Sequence, residues 1–183
     1  YQTLLGVRTE DEFFKALEAC WRSASSKAAL AYLKDQGTET DVEMAVLVQE
    51  LVPATSAGVL FTMHPVTDRV DQVVVNSNFG LGETVVSGRA EPDTFILDKA
   101  TGAIVESKIG AKRIISQQTA HGVEEVPTDA ARQQISSLSE EQLRELSDVA
   151  RKLEATFDMP MDAEWAFERN TLHMLQARPV TTG

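Results

Sequence analysis

Residues 161–180 constrain the fold most. Met161-Asp162-Ala163-Glu164-Trp165-Ala166-Phe167-Glu168 alternates polar with apolar, the chain breaks at Arg169-Asn170-Thr171, and alternation resumes from Leu172 to Val180. A strand turns successive side chains to opposite faces, so Asp162, Glu164, Ala166 and Glu168 share one face, and Ala163, Trp165 and Phe167 the other. On the returning strand Leu172, Met174, Gln176 and Arg178 form one set, and His173, Leu175 and Ala177 the second. Turn length decides which set joins the carboxylates. A three-residue loop, Arg169 to Thr171 with Asn170 left-handed, pairs Glu168 with Leu172, Glu164 with Gln176 and Asp162 with Arg178. A two- or four-residue loop would put the polar groups on opposite faces.

The rest of the chain predicts helices around a mostly antiparallel sheet, an α+β class. Thr9-Glu10-Asp11-Glu12 is a capping box, followed by Phe13, Ala16, Leu17 and Cys20 at helical spacing, with helix resuming over Ala28 to Leu33 until Gly37. The apolar run Val42 to Val52, closed by Pro53, reads as a strand buried on most of its surface. Ala57 to Thr62 and Asp71 to Asn78 read as its neighbours in one antiparallel sheet. Thr94 to Leu97 and Ala103 to Lys108 bracket a turn, Lys112 to Ile115 adds a short strand, and His121 to Val126 is a further extended piece. A second capping box, Ser139-Glu140-Glu141-Gln142, opens a helix with Leu143, Leu146, Ala150, Leu153 and Phe157 on one stripe.

Function classes fall away next. With 17 basic and 28 acidic side chains the net charge is −11, which argues against nucleic acid or an anionic membrane as the main partner. A single cysteine, Cys20, cannot form an internal disulfide; on its helical face it reads as a core residue in a reducing compartment, the cytoplasm. No stretch is long and apolar enough to span a bilayer. The chain begins with Tyr1 and reads as a piece of something longer, with 183 residues enough for one core or two joined subdomains. His64, His121 and His173 lack metal-ligand spacing, no nucleophile elbow is present, and a glycosidase would want more aromatic walls.

What remains is oxygen-rich. Asp162 and Glu164, the Gln176 amide and Arg178 suit a hard Mg²⁺ ion and a phosphate beside it; a plain cross-strand Asp162–Arg178 salt bridge explains the same residues. Two further patterns are equally two-sided. The turn Asn78-Phe79-Gly80-Leu81-Gly82-Glu83 could offer free amides to an anion or serve only the backbone, and it fits neither the dinucleotide fingerprint nor a Walker loop. Lys108, Lys112 and Arg113 form a basic island that could contact phosphate or protect a strand edge.

Together these blocks resemble a known family. Asp162-Ala163-Glu164-Trp165-Ala166 with Leu175-Gln176-Ala177-Arg178-Pro179-Val180-Thr181 is similar to the end of the ATP-grasp nucleotide-binding domain of the phosphoenolpyruvate synthase (pyruvate, water dikinase) family. Val48-Gln49-Glu50-Leu51-Val52 through Ser56 to Thr62, and Phe79-Gly80-Leu81-Gly82-Glu83 with Val86-Ser87-Gly88, agree in order. The resemblance implies an ATP-grasp-like fold incomplete at its N-terminal side, with residues 1–183 a partial nucleotide-binding domain. It implies ATP and Mg²⁺ as cofactors, with Glu164 and Gln176 ligating the metal and Arg178 stabilising the transferred phosphoryl group. Gln49, Glu50, Leu51 and Val52 would form the hinge that reads adenine, and Asp162 matches an acidic position of the motif. The family's partners are a phosphohistidine domain of the same parent chain and pyruvate or another acceptor at a remote domain. A rifampicin-phosphorylating dikinase and a non-catalytic nucleotide-binding module are the alternatives. Ala163 stands where the family usually has a larger apolar residue, and the resemblance assigns no role to His64, Lys112 or Arg113. The family's phosphate-gripping lysine, arginine and small-residue loop precede a segment like Tyr1 to Gly6, so the chain is expected to carry one wall of a site.

Overall fold

A computed structural model describes residues 2–35, 44–120 and 122–180. Two compact units divide them: one reaches to Leu51 and takes in Thr119–Val123, and the other comprises Val52–Gln118 and the chain from Glu124 on.

In the first unit, helix α1 (Glu10–Ala24) starts at the expected capping box, with Thr9 Oγ1 accepting from the Glu12 amide and Glu12 Oε2 accepting from the Thr9 amide. Helix α2 (Lys27–Asp35) follows. No residue of α1 is fully buried, and Cys20 is half-buried with its thiol 3.5 Å from the Gln2 carbonyl, so it is not the core residue its spacing suggested. The expected strand over 42–52 also fails. Val42 and Glu43 lie outside the described residues; from Met44 to Val52 no ladder forms, and Leu47 and Val48 are 85% and 66% exposed. An apolar extended run becomes a buried strand only when a neighbouring strand takes its amides, and no described strand flanks this one.

The second unit is built on strands β1 (Ser56–Phe61), β2 (Gln72–Phe79), β3 (Asp93–Asp98), β4 (Ile104–Lys108), β7 (Met161–Glu168) and β8 (Thr171–Pro179). They form a six-stranded sheet in the order β4-β3-β2-β1-β7-β8, antiparallel at every pairing. Strands β5 (Ile114–Thr119) and β6 (Gly122–Pro127) make a small second sheet, and short helices α3 (Glu83–Val86) and α4 (Ala130–Gln133) join the elements. Thus β1 and β2 are neighbours as expected, but β1's other neighbour is β7. Lys112 lies outside β5, and His121 lies outside the described residues.

Helix α5 (Glu140–Phe157) makes the core. Ser139 caps it as predicted, and Leu143, Leu146 and Ala150 are buried with Leu153 packed beside them. Phe157, the last residue of the predicted stripe, is 49% exposed and escapes the core. Against this stripe the sheet presents Leu60, Val73, Val75, Phe95, Leu97, Trp165 and Phe167, the residues that alternation puts on one face. Trp165 and Phe167 meet edge to face, ring centroids 5.6 Å apart. Deleting a buried ring of this kind costs about 3–5 kcal/mol, so this face fixes the orientation of β7. Whatever faces away from α5 is thereby fixed too.

Candidate functional site

The face of β7 turned away from α5 carries Asp162 and Glu164, as alternation requires. Asp162 lies opposite Arg178 and Glu164 opposite Gln176, the register expected, yet the route to it is different. The turn has two residues, not three: Glu168 pairs with Thr171 and Phe167 with Leu172, and the left-handed residue is Arg169 (φ 56°), not Asn170. Such a turn alone would have put the polar sets on opposite faces. A bulge corrects it, because Trp165 pairs with Met174 while Glu164 pairs with Gln176, leaving Leu175 as the extra residue of β8.

Asp162 has a side chain only 13% exposed, and Arg178 Nε and Nη2 both donate to its Oδ2, at 2.8 and 2.7 Å. The cross-strand salt bridge therefore exists. Arg178 itself is 65% exposed, so the bond is one that water and competing anions reach. The Asp162 carboxylate holds the guanidinium proton more firmly still. Glu164 behaves in the opposite way: partial burial first, then the negative charge of Asp162, pushes its carboxyl above the ordinary value, Arg178 opposes this, and Glu83 adds to it. An ionised carboxylate in this place is short of positive charge.

The same face continues along the row. Val59 of β1 lies opposite Glu164 on one side and Asn76 of β2 on the other, and Asn76 lies opposite Thr94, whose hydroxyl donates to its Oδ1 at 2.9 Å. Asn76 and Thr94 were missed in the sequence, although an asparagine directly after the apolar run Val73-Val74-Val75 was the signal available. Gln49 and Glu50 are exposed and Leu51 half-buried; these three fall in the first unit, whereas Val52 falls in the second.

The other patterns resolve toward backbone and packing. In the glycine turn the Gly80 amide donates to Thr55 O at 3.0 Å and the Leu81 amide to Ser116 O at 2.7 Å, so both are used within the fold. Gly80 is required there: its φ is +74°, and a Cβ would stand 2.2 Å from the Ser116 carbonyl. Of the basic island, Lys112 is fully buried and bonded to Asp93, Lys108 pairs with Glu91 at 3.0 Å, and only Arg113 remains an exposed cation without an ion pair among the described residues. His64 gains a role: its Nδ1 accepts from the amides of Val66 and Thr67 at 3.2 and 3.3 Å and closes the β1–β2 loop. Among the described residues no three His, Cys, Asp or Glu side chains gather closely enough to hold a metal unaided. No described helix is long and apolar enough to cross a membrane.

Comparison with known proteins agrees in kind. A family model described as "Pyruvate phosphate dikinase, AMP/ATP-binding domain" matches residues 1–183. A probable phosphoenolpyruvate synthase of Methanocaldococcus jannaschii is 38% identical over 98% of this chain and 15% of its own length. The prodigiosin synthesizing transferase PigC of Serratia marcescens is 39% identical over 100% of the chain and 20% of its own length. A rifampicin phosphotransferase of Streptomyces sviceus is 37% identical over 98% of the chain and 21% of its own length. The chain thus spans about a fifth of the length of these relatives. Its sheet and helices are consistent with the ATP-grasp-like α+β class.

Proposed function

Because the chain belongs to the pyruvate phosphate dikinase AMP/ATP-binding domain family, we propose that it is the ATP-binding part of a phosphoenolpyruvate synthase, acting within a longer cytoplasmic parent protein. In that reading the β-phosphate of ATP passes to a histidine of a swivelling domain and then to pyruvate, giving phosphoenolpyruvate, AMP and phosphate. The observation that carries it is the meeting of Glu164, Gln176 and Arg178 on the sheet face opposite α5.

The donor set suits magnesium, which takes a few carboxylate or amide oxygens and completes its shell with water and phosphate oxygens. Glu164 and Gln176 would hold it, and its charge would offset that of the phosphates when bound. The upward push on the Glu164 carboxyl supports this, since a half-buried carboxylate crowded by Asp162 gains from a nearby dication. Arg178 is the phosphate-facing group. The Arg178 end of its bond to Asp162 is open to water, so the guanidinium fork can turn to phosphoryl oxygens as they arrive. Asp162 keeps that fork over the strand pair in the meantime. Gln49, Glu50, Leu51 and Val52 would supply the edge that reads adenine. Residues 1–183 are, in the same reading, one part of the nucleotide domain, the remaining phosphate-gripping residues coming from elsewhere in the parent.

A second acceptor is supported as well: the rifampicin phosphotransferase relative is nearly as similar as the synthase. The experiment uses the full-length parent, ATP and either pyruvate or rifampicin, with AMP measured by chromatography. AMP formed with pyruvate supports the synthase, and AMP formed only with rifampicin supports the alternative. A parent that makes no AMP with either acceptor supports the reading as a non-catalytic nucleotide module. Glu164→Ala should abolish AMP formation, and near-normal turnover in that variant would overturn the metal assignment.

A further inference from the structure

Glu83 and Arg89 belong to neither the core nor the strand pair, yet the fold brings them to the same sheet face as Glu164. Glu83 is the first residue of α3. The preceding Gly82 lies against β1: a Cβ there would stand 3.6 Å from Ala57 Cβ and 3.7 Å from the Gly58 amide nitrogen. Ala57 and Val59 are two residues apart on β1 and share a face, and their partners on β7 are Ala166 and Glu164. The start of α3 therefore lies over Ala57 and Gly58 on the side away from α5, and the Val59–Glu164 pair is the next on that face along β1. Asn78 anchors it from below, donating to Thr84 Oγ1 at 3.1 Å and to Ile114 O at 2.9 Å.

Arg89 fixes the carboxylate. Its Nη2 lies 3.3 Å from Glu83 Oε1, its Nη1 lies 2.5 Å from Glu125 Oε1 of β6, and its Nε donates to Ser87 Oγ at 2.9 Å. Three partners on two elements leave the guanidinium little freedom. Glu83 Oε2 has no partner among the described residues, and the side chain is 39% exposed. A glutamate held by an arginine, one oxygen free, on the same sheet face as a carboxylate proposed to ligate magnesium has the form of an outer-shell acceptor, a group that takes a hydrogen bond from water on the ion.

We propose that Glu83 is that outer-shell acceptor and that Arg89 is the positioning residue that holds it there. The inference rests on the magnesium reading of Glu164 and Gln176. It adds that the glycine turn serves the site through the side chain that follows it, its own Gly80 and Leu81 amides being already used.

The test is equilibrium binding, with no turnover required. The full-length parent, saturated with a non-hydrolysable ATP analogue, is titrated with Mn²⁺ as a stand-in for magnesium, the free ion being read by electron paramagnetic resonance. Glu83→Gln and Arg89→Gln should each weaken Mn²⁺ about tenfold or more, the range that outer-shell losses produce. Glu83→Asp keeps the charge but withdraws the oxygen by one methylene, and should weaken binding like Glu83→Gln. If Glu83→Asp binds as wild type while Glu83→Gln does not, charge alone acts and the positioning role is overturned. Wild-type binding in both Glu83 variants overturns the proposal outright. Glu164→Gln distinguishes the underlying reading: unchanged Mn²⁺ affinity there removes the metal site itself, whereas loss there with no effect at Glu83 refutes only the present inference. Melting curves of each variant check that it is folded.

Discussion

Asp93 and Asp162 each hold a cation, on opposite faces of one sheet, and their surroundings could hardly differ more. Asp93 and Lys112 are both fully buried on the α5 side. Asp93 Oδ1 accepts from the Gly110 amide and Lys112, Oδ2 accepts from the Ser137 amide and hydroxyl, and Lys112 also donates to Gly110 O. The bonds tie the end of β4 and the lead-in to α5 onto β3. On the other face Arg178 reaches Asp162 through two bonds to a single oxygen and stays mostly in water. Burial turns an ion pair into a rivet, since either charge left alone inside the protein is costly. Exposure turns it into a contact that can be exchanged for a better one. A site that must exchange partners belongs on the second kind of face, held by the first.

This contrast can be broken at five positions, the first four taken from the largest effect down and the fifth set against the fourth. Asp93→Ala leaves Lys112 buried and unpaired and should cost about 3–5 kcal/mol in denaturant unfolding; replacing both residues by apolar ones of similar volume should recover most of it. Arg178→Lys keeps the charge but loses the fork, and should lower AMP formation by the parent about a hundredfold while changing stability by less than about 1 kcal/mol. A large loss of stability there would show that the exposed pair is also a rivet.

Glu164→Gln should raise the melting temperature, without nucleotide or metal at neutral pH, by about 1–3 °C. The sign follows from the direction of its shift. Folding lifts the carboxyl above its ordinary 4.5, so the folded state favours the protonated form. The penalty on the ionised form is absent below that ordinary value and sets in as pH rises through the folded one. The advantage of the Gln variant should therefore vanish in acid; a gap that persists or widens there contradicts the cause given. Least disturbing of all, deleting Leu175 should keep AMP formation within about tenfold, because the residue is extra to the ladder and Glu164 stays opposite Gln176 without it. Deleting Ala177 instead shifts Arg178 to the other face and should abolish turnover.

Much of this was legible in the chain. Both long helices announced themselves through capping boxes, Thr9 with Glu12 and Ser139 with Gln142, because those bonds are local. Alternation placed Trp165 and Phe167 in the core and Asp162 and Glu164 opposite them, because a strand's period is fixed by its backbone. The bulge was not legible: Leu175 continues the alternation like any other residue, and only the competition between a two-residue turn and the packing of Leu172 on the core reveals that one residue is surplus. Lys112 misled for a related reason. Its partner Asp93 is 19 residues away, and nothing local tells a buried lysine from a surface one. The run at Met44–Val52 misled in the opposite direction, since strand propensity says nothing about whether a neighbour is present to complete the ladder. Glu83 sat in view inside the glycine motif and Arg89 one residue past its end, but the sheet face beneath α3 emerges only from register.

The bulge also bears on how the protein keeps to itself. Among the described residues β8 has β7 on one side and no strand on the other, so it presents an open row of amides and carbonyls. A flat edge of that kind templates pairing with other chains. Leu175 breaks its regular spacing, Arg178 adds charge and Pro179 removes a donor near its end, three local obstacles to a foreign strand. The residue that brings Gln176 back to the carboxylates thus also guards the margin of the sheet against aggregation.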